Sequence, residues 1–452
     1  MRIWPVVFIL VLAAGAAWPQ EARSPAPVRL SLRQAMSLAV ENSPELEDFR
    51  SRIREARYRV DEAYTQVNPR VDFAATYTRN EPPVAFSTGG RQVVISQADN
   101  YNLTLTIRQA IFTFGRLKFS ALAAELRELA AKESYRNEVE RLIETVAADY
   151  FNVLLAQDAV VVTQDNVEAR EARVAESELL FEQGQVARFD VLRNRTALSE
   201  ARQQAIEAAD ALRVTEIRLL TRLGLDPENE LELEPVDLVE FPDIPLSQAR
   251  DRALELRPEL QSLRLAAESA RARVEAVRAD DNPRLDLQSA ASNRNVTGFS
   301  PANQIVTSVV FSIPIFDGGL TRARVGQALE AVVQLEQSLE STRRQVLLDV
   351  EQSYRQMRDQ WAQIGVAEGT VEEAEEALRV AELRYASGVS TNVELLDSQA
   401  AYNRARLELA RARSDYLTSR WHWWKAISGE YPVEVPLPPD LPLKPIPGAA
   451  AP

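Results

Sequence analysis

The chain has 452 residues, a formal net charge of −14, one histidine and no cysteine. The missing cysteines exclude a disulfide framework, a thiolate metal site and a lipid anchor on cysteine, and the acidic balance argues against nucleic acid, because nothing basic is clustered enough to replace phosphate counterions. A hydrolase is equally poorly provided for, with a lone histidine, no thiol and no glycine-rich phosphate loop, so no catalytic residue, cofactor or metal is expected.

In chain order, Met1-Arg2, an apolar run from Val6 to Leu12 and the small residues Ala13 to Ala17 read as a secretory signal over 1–17. Ser31 and Gln34 make a capping box ahead of a short helix whose apolar face is Leu32, Ala35, Leu38 and Ala39. Pro44 suits the first turn of a second helix, which Asn68-Pro69 stops. Beyond that stop the period changes to two: Val71, Phe73, Ala75 and Tyr77, then Tyr101, Leu103, Leu105 and Ile107, alternate with polar neighbours. This predicts strands over 70–79 and 100–112, each of about ten residues or more, the length a tilted strand needs to cross a bilayer. The polar, turn-rich stretch between them, around Pro82-Pro83 and Ser87-Thr88-Gly89-Gly90, reads as an exposed loop. From 116 to 183 there is neither proline nor glycine, which predicts a helix roughly 100 Å long at 1.5 Å per residue. Such a helix must pack along its whole length to be stable. Gly184 breaks it, and another helix follows over 188–223.

The chain then says the same thing again. Asn42-Ser43-Pro44-Glu45-Leu46 is echoed by Leu256-Arg257-Pro258-Glu259-Leu260, and Asn68-Pro69-Arg70-Val71-Asp72 by Asn282-Pro283-Arg284-Leu285-Asp286, at one constant offset. A second offset, set by a shorter loop between the strands, relates Ile111-Phe112 to Ile315-Phe316, Tyr150 to Tyr354 and Gly184 to Gly388. The organisation is therefore a first repeat over 28–224, a linker over 225–243 and a second repeat over 244–428. The second repeat has strands at 284–292 and 304–315, a long helix at 320–387 and a helix at 391–427. In its long helix Val371, Ala374, Leu378, Ala381 and Tyr385 form a narrow coiled-coil seam. A proline-rich tail, 429–452, reads as extended or disordered.

Four membrane-type strands cannot close a barrel, and an open edge in lipid leaves unpaired N–H and C=O groups. The chain must then assemble with copies of itself, two giving eight strands and three giving twelve.

The tip turns carry the family signal. Phe181-Glu182-Gln183-Gly184-Gln185-Val186-Ala187-Arg188-Phe189-Asp190 is matched by Tyr385-Ala386-Ser387-Gly388-Val389-Ser390-Thr391-Asn392-Val393-Glu394, beneath matched strand pairs and behind a signal segment. In this the chain resembles the TolC-like outer-membrane efflux proteins over nearly its whole mature length. The resemblance implies an α+β membrane protein whose tandem long helical hairpins form an α-helical barrel, with four strands per chain contributing to an oligomeric twelve-stranded transmembrane β-barrel. It implies a homotrimer in outer-membrane lipid, joined through a periplasmic adaptor to an inner-membrane transporter and serving efflux or type I secretion as a passive duct. The competing reading, a periplasmic coiled-coil adaptor or scaffold without a pore, would not need two pairs of alternating strands.

By the same resemblance Glu394 and Asp397, three apart on one helix face, match constricting acids, with Asp190 the first-repeat counterpart of Glu394 and Tyr385 a gating tyrosine. Without it, acids in a first helical turn complement the helix dipole. Ser390 is a departure, because the best-characterised member has there an arginine that helps hold the tip shut. Gly184, Gln185, Val186, Gly388, Val389 and Ser390 are the turn residues expected to meet the adaptor. His422, lodged in Trp421-His422-Trp423-Trp424, reads as packing, while Tyr77, Tyr101 and Phe299 suit either a membrane interface or ordinary strand packing.

Overall fold

The fold is that of a computed structural model describing residues 28–96, 98–239, 244–295 and 302–428. The signal segment 1–17, the tail 429–452 and Phe299 lie outside the described residues. A short strand β1 (Val28–Leu30) leads into α1 (Leu32–Asn42), which Ser31 and Gln34 start with a reciprocal capping box. Ser43 caps α2 (Pro44–Thr65), with the proline at its first position where no N–H is needed. Strands β2 (Arg70–Arg79), β3 (Val84–Thr88), β4 (Arg91–Ser96) and β5 (Asp99–Phe112) follow. Two helices complete the repeat, α3 (Arg116–Glu182) and α4 (Arg188–Arg222). After β6 (Leu231–Leu233) the second repeat runs α5 (Leu246–Leu256), α6 (Pro258–Arg278), β7 (Arg284–Arg294), β8 (Asn303–Ser312), α7 (Leu320–Ala386) and α8 (Asn392–Ala426).

The stretch expected to be an exposed loop contains a hairpin: β3 pairs with β4 through Gly89-Gly90, both at positive φ, as a two-residue turn matching strand twist requires. The linker is not structureless, because β6 within it pairs in parallel with β1. The last strand ends at Ser312 rather than at 315, since Pro314 has no N–H to continue the ladder.

Long helices α3 and α7 each carry two shorter helices end to end, α2 and α4 on α3, and α6 and α8 on α7; α6 and α8 also lie against α3. Small residues let the repeats approach: Ser269 Oγ donates to the Ala123 carbonyl at 2.7 Å, and Ser262 Oγ to that of Ala130 at 3.0 Å. One core surrounds the middle of α3, where Leu46, Ile143, Val146, Phe151, Leu219 and Leu223 are all fully or almost fully enclosed. Each such side chain contributes about 1.5–3 kcal/mol on burial. The second core sits at the same level of α7, with Leu260, Val346, Val350, Met357, Tyr416 and Trp423. Tyr150 joins this belt together, its hydroxyl lying 3.0 Å from the Leu30 carbonyl and 2.6 Å from that of Glu234.

The sheet at the other end is built differently. Its order is β2-β5-β7-β8, all antiparallel, so the repeats meet at β5–β7 and each supplies one edge, β2 and β8. Among the described residues no helix is laid on its faces. Phe73 is 67% exposed, Ile305 77% and Phe311 63%. An apolar sheet uncovered on this scale marks a surface made for lipid or another chain.

Candidate functional site at the helical tips

Both hairpin tips are closed by the same backbone device. At the end of α3 the Gln185 N–H reaches the Leu180 carbonyl and the Gly184 N–H that of Phe181, each at 2.9 Å; at the end of α7, Val389 reaches Arg384 at 2.9 Å and Gly388 reaches Tyr385 at 3.0 Å. These are Schellman turns, and the glycines take the left-handed conformation they need, φ +71° at Gly184 and +72° at Gly388. A Cβ at either glycine would meet nothing within 4 Å, so the conformation alone calls for glycine. Gln185 and Val389 are exposed, and Val186 and Ser390 half-buried.

The two tips differ in their side chains. Thr391 caps α8, its hydroxyl accepting from the Glu394 N–H at 3.4 Å, whereas Ala187 leaves α4 without a side-chain cap. Arg384, on the last turn of α7, reaches across the turn and donates from Nη1 to Glu394 Oε1 at 2.8 Å. Ser390 Oγ donates to the other carboxylate oxygen at 2.6 Å. Glu394 is thus held on both oxygens. Asp397 is exposed and, among the described residues, has neither hydrogen-bond nor ion-pair partner. Asp190 is half-buried near the Tyr385 hydroxyl, whose pKa burial and the Glu176 charge push up. The Tyr385 ring lies under the Arg173 guanidinium, 5.5 Å from its centroid, and packs against Leu378, Ala381 and Leu395.

Four residues at the tips carry no signal in the sequence: Arg384, Arg173, Asn194 and Asn392. Arg384 meets Glu394 only because the turn folds α8 back on α7, and Arg173 meets Tyr385 only across the repeats. Asn194 and Asn392, buried and hydrogen-bonded between α4 and α8, are unremarked polar residues in the chain.

His422 is more than packing. Its Nδ1 is 2.6 Å from Glu144 Oε1 and its Nε2 3.4 Å from Asp349 Oδ1; Lys425 adds a 2.7 Å bond to Glu144, and Arg257 pairs with Asp349. Hydrogen bonds to Asp349 and Glu144 raise the histidine to about 9 against the opposing effect of burial. Burial would lift Asp349, but His422 and Arg257 outweigh it and hold that carboxyl down to about 2. The cluster ties α3, α7 and α8 to the α5–α6 junction at Arg257; its members are scattered in sequence, which hid it. At the far end Tyr77 and Tyr101 face each other across β2 and β5, both well exposed.

The model of the family described as "Outer membrane efflux protein" matches residues 35–225 and 249–422. The alkaline protease secretion protein AprF of Pseudomonas aeruginosa is 31% identical over 333 residues, 71% of this chain and 68% of that protein. The outer membrane protein TolC of Escherichia coli is 27% identical over 415 residues, 86% of this chain and 80% of that protein. The solved Campylobacter jejuni CmeC outer membrane channel superposes with a TM-score of 0.77 at 16% identity, covering 94% of each chain, and so shares the fold. With both repeats matched, and with an exposed sheet standing on a shaft of paired helices, the chain belongs to the outer membrane efflux protein family, the exit ducts of the outer membrane.

Proposed function

We propose that three copies of this chain close a twelve-stranded barrel in the outer membrane and continue it as a tunnel of six helical hairpins through the periplasm. The observation that carries the reading is the open sheet: four antiparallel strands on which, among the described residues, no helix is laid, with Phe73, Ile305 and Phe311 exposed and β2 and β8 at its edges. Lipid cannot satisfy those edges, while a neighbouring β8 against β2 can. The tip turns at Gly184, Gln185, Val186, Gly388, Val389 and Ser390 then point to a periplasmic adaptor, which couples the duct to an inner-membrane transporter. Asp190, Tyr385, Glu394 and Asp397 line its narrowest passage. The chain supplies no energy and no chemistry; the transporter chooses the cargo. Relatives named for protease secretion and for solvent efflux fit one duct serving different transporters.

The test is electrical. Protein purified from the outer membrane and added to a planar bilayer should give discrete conductance steps of small size with a preference for cations. Well-folded protein that inserts without conducting would overturn the reading.

A further inference from the structure

We infer that Arg384 sets the charge selectivity of the tip by cancelling Glu394, leaving Asp397 as the open acid of the passage. This rests on the proposed reading of the tips as the constriction. Arg384 is fixed from two sides. Its carbonyl accepts from the Val389 N–H at 2.9 Å and the Ser390 N–H at 3.2 Å, so the turn holds its backbone, and its guanidinium meets Glu394 at 2.8 Å. Ser390 donates to the second oxygen of Glu394, so both of its oxygens are engaged within the turn. One turn further along α8, Asp397 is exposed and has no partner among the described residues. A row of acids in the sequence is therefore one compensated acid and one free acid in the fold. Fixed charge beside a narrow aqueous path biases ions by sign, and a neutral pair contributes far less than an isolated carboxylate.

The pair is also surface-exposed, 48% and 43% for the two side chains, so it adds little to stability and its members can be replaced without loss of the fold. The placement of Arg384 at a helix C-terminus and Glu394 at an N-terminus suits both dipoles, which would be its whole purpose if the pair lay away from the passage.

The experiment is the reversal potential across a salt gradient in planar bilayers, at low ionic strength where charge is least screened. It uses the full protein with Arg384→Gln, Arg384→Lys, Glu394→Gln, the Arg384→Gln/Glu394→Gln double variant and Asp397→Asn. Arg384→Gln should raise the cation-to-anion permeability ratio about twofold or more, by freeing one carboxylate per chain. Glu394→Gln should lower it, while the double variant and Arg384→Lys stay near the starting ratio. Asp397→Asn should bring it towards unity. If Asp397→Asn moves the ratio and Arg384→Gln does not, the role given to Arg384 is overturned while the constriction reading stands. If no variant moves the ratio, the constriction reading itself fails.

Discussion

Asn392, the first residue of α8, donates from Nδ2 to Asn194 Oδ1 on α4 at 2.8 Å, with both side chains buried at 6% and 2% exposure. This amide pair ties the first hairpin to the second close to the tips. It is only half satisfied, since among the described residues Asn194 Nδ2 and Asn392 Oδ1 have no partner. Such a bond holds weakly: removing one amide strands the other, at a cost of about 1–3 kcal/mol, whereas replacing both by apolar groups can be neutral. Asn194→Ala should accelerate hydrogen exchange in the first turns of α8 about tenfold, and Asn194→Leu/Asn392→Leu should restore slow exchange. Equal rates in all three proteins would show that the pair does not hold the tips together.

Tyr150 makes a second prediction, at the belt. Its hydroxyl sits between the carbonyls of Leu30 and Glu234, and burial, with the nearby Glu234 charge, pushes its pKa up to about 12, so it stays neutral at any working pH. Tyr150→Phe keeps the ring in its core and removes only the bridge. The expected loss is about 1–2 kcal/mol, read as faster proteolysis within the 225–239 segment at unchanged helix content. Unchanged cleavage would mean that β1–β6 pairing alone secures that segment.

The Gly388 turn should discriminate among substitutions by backbone and not by size. Ala has room but resists φ near +72°, while Asn tolerates it. Gly388→Ala should cost about 1 kcal/mol of local stability at the second tip, and Gly388→Asn clearly less. Equal effects would indicate a contact at that position in the assembled protein.

What the sequence carried, and what it withheld, follows from range. The capping box at Ser31, the proline stops, the period-two strands and the tip glycines are all local, and each sits at its element in the fold. The tip acids Glu394 and Asp397 could also be found, through the family resemblance, and the duplication added Asp190 as the counterpart of Glu394. Pairings across the chain could not. The parallel β1–β6 ladder joins residues some two hundred positions apart and is only three residues long, too short to leave a pattern. The Arg384–Glu394 contact depends on how sharply a turn folds back, and the charges around His422 come from α3, α7, α8 and the α5–α6 junction. A histidine among tryptophans looks apolar until Glu144 and Asp349 are placed beside it.

That cluster gives a pH dependence with a definite sign. The His422 pKa is raised in the fold, so its contribution is complete below its ordinary value near 6.5 and is lost as pH rises through about 9. Asp349 runs the other way, contributing above 3.8 and losing its contribution as pH falls through about 2. Wild type should therefore exceed His422→Leu in melting temperature by most between about pH 4 and 6.5, with the gap closing above about pH 9. A gap constant up to about pH 10 would assign the effect to packing among the tryptophans instead.

The central claim is that this chain is one of three staves of a closed duct. It is tested most directly by the native mass of the protein extracted in mild detergent from the outer-membrane fraction. The account predicts an assembly of three chains, enough to complete twelve strands from β2, β5, β7 and β8 of each. A single chain, or a pair of chains closing eight strands, would contradict it.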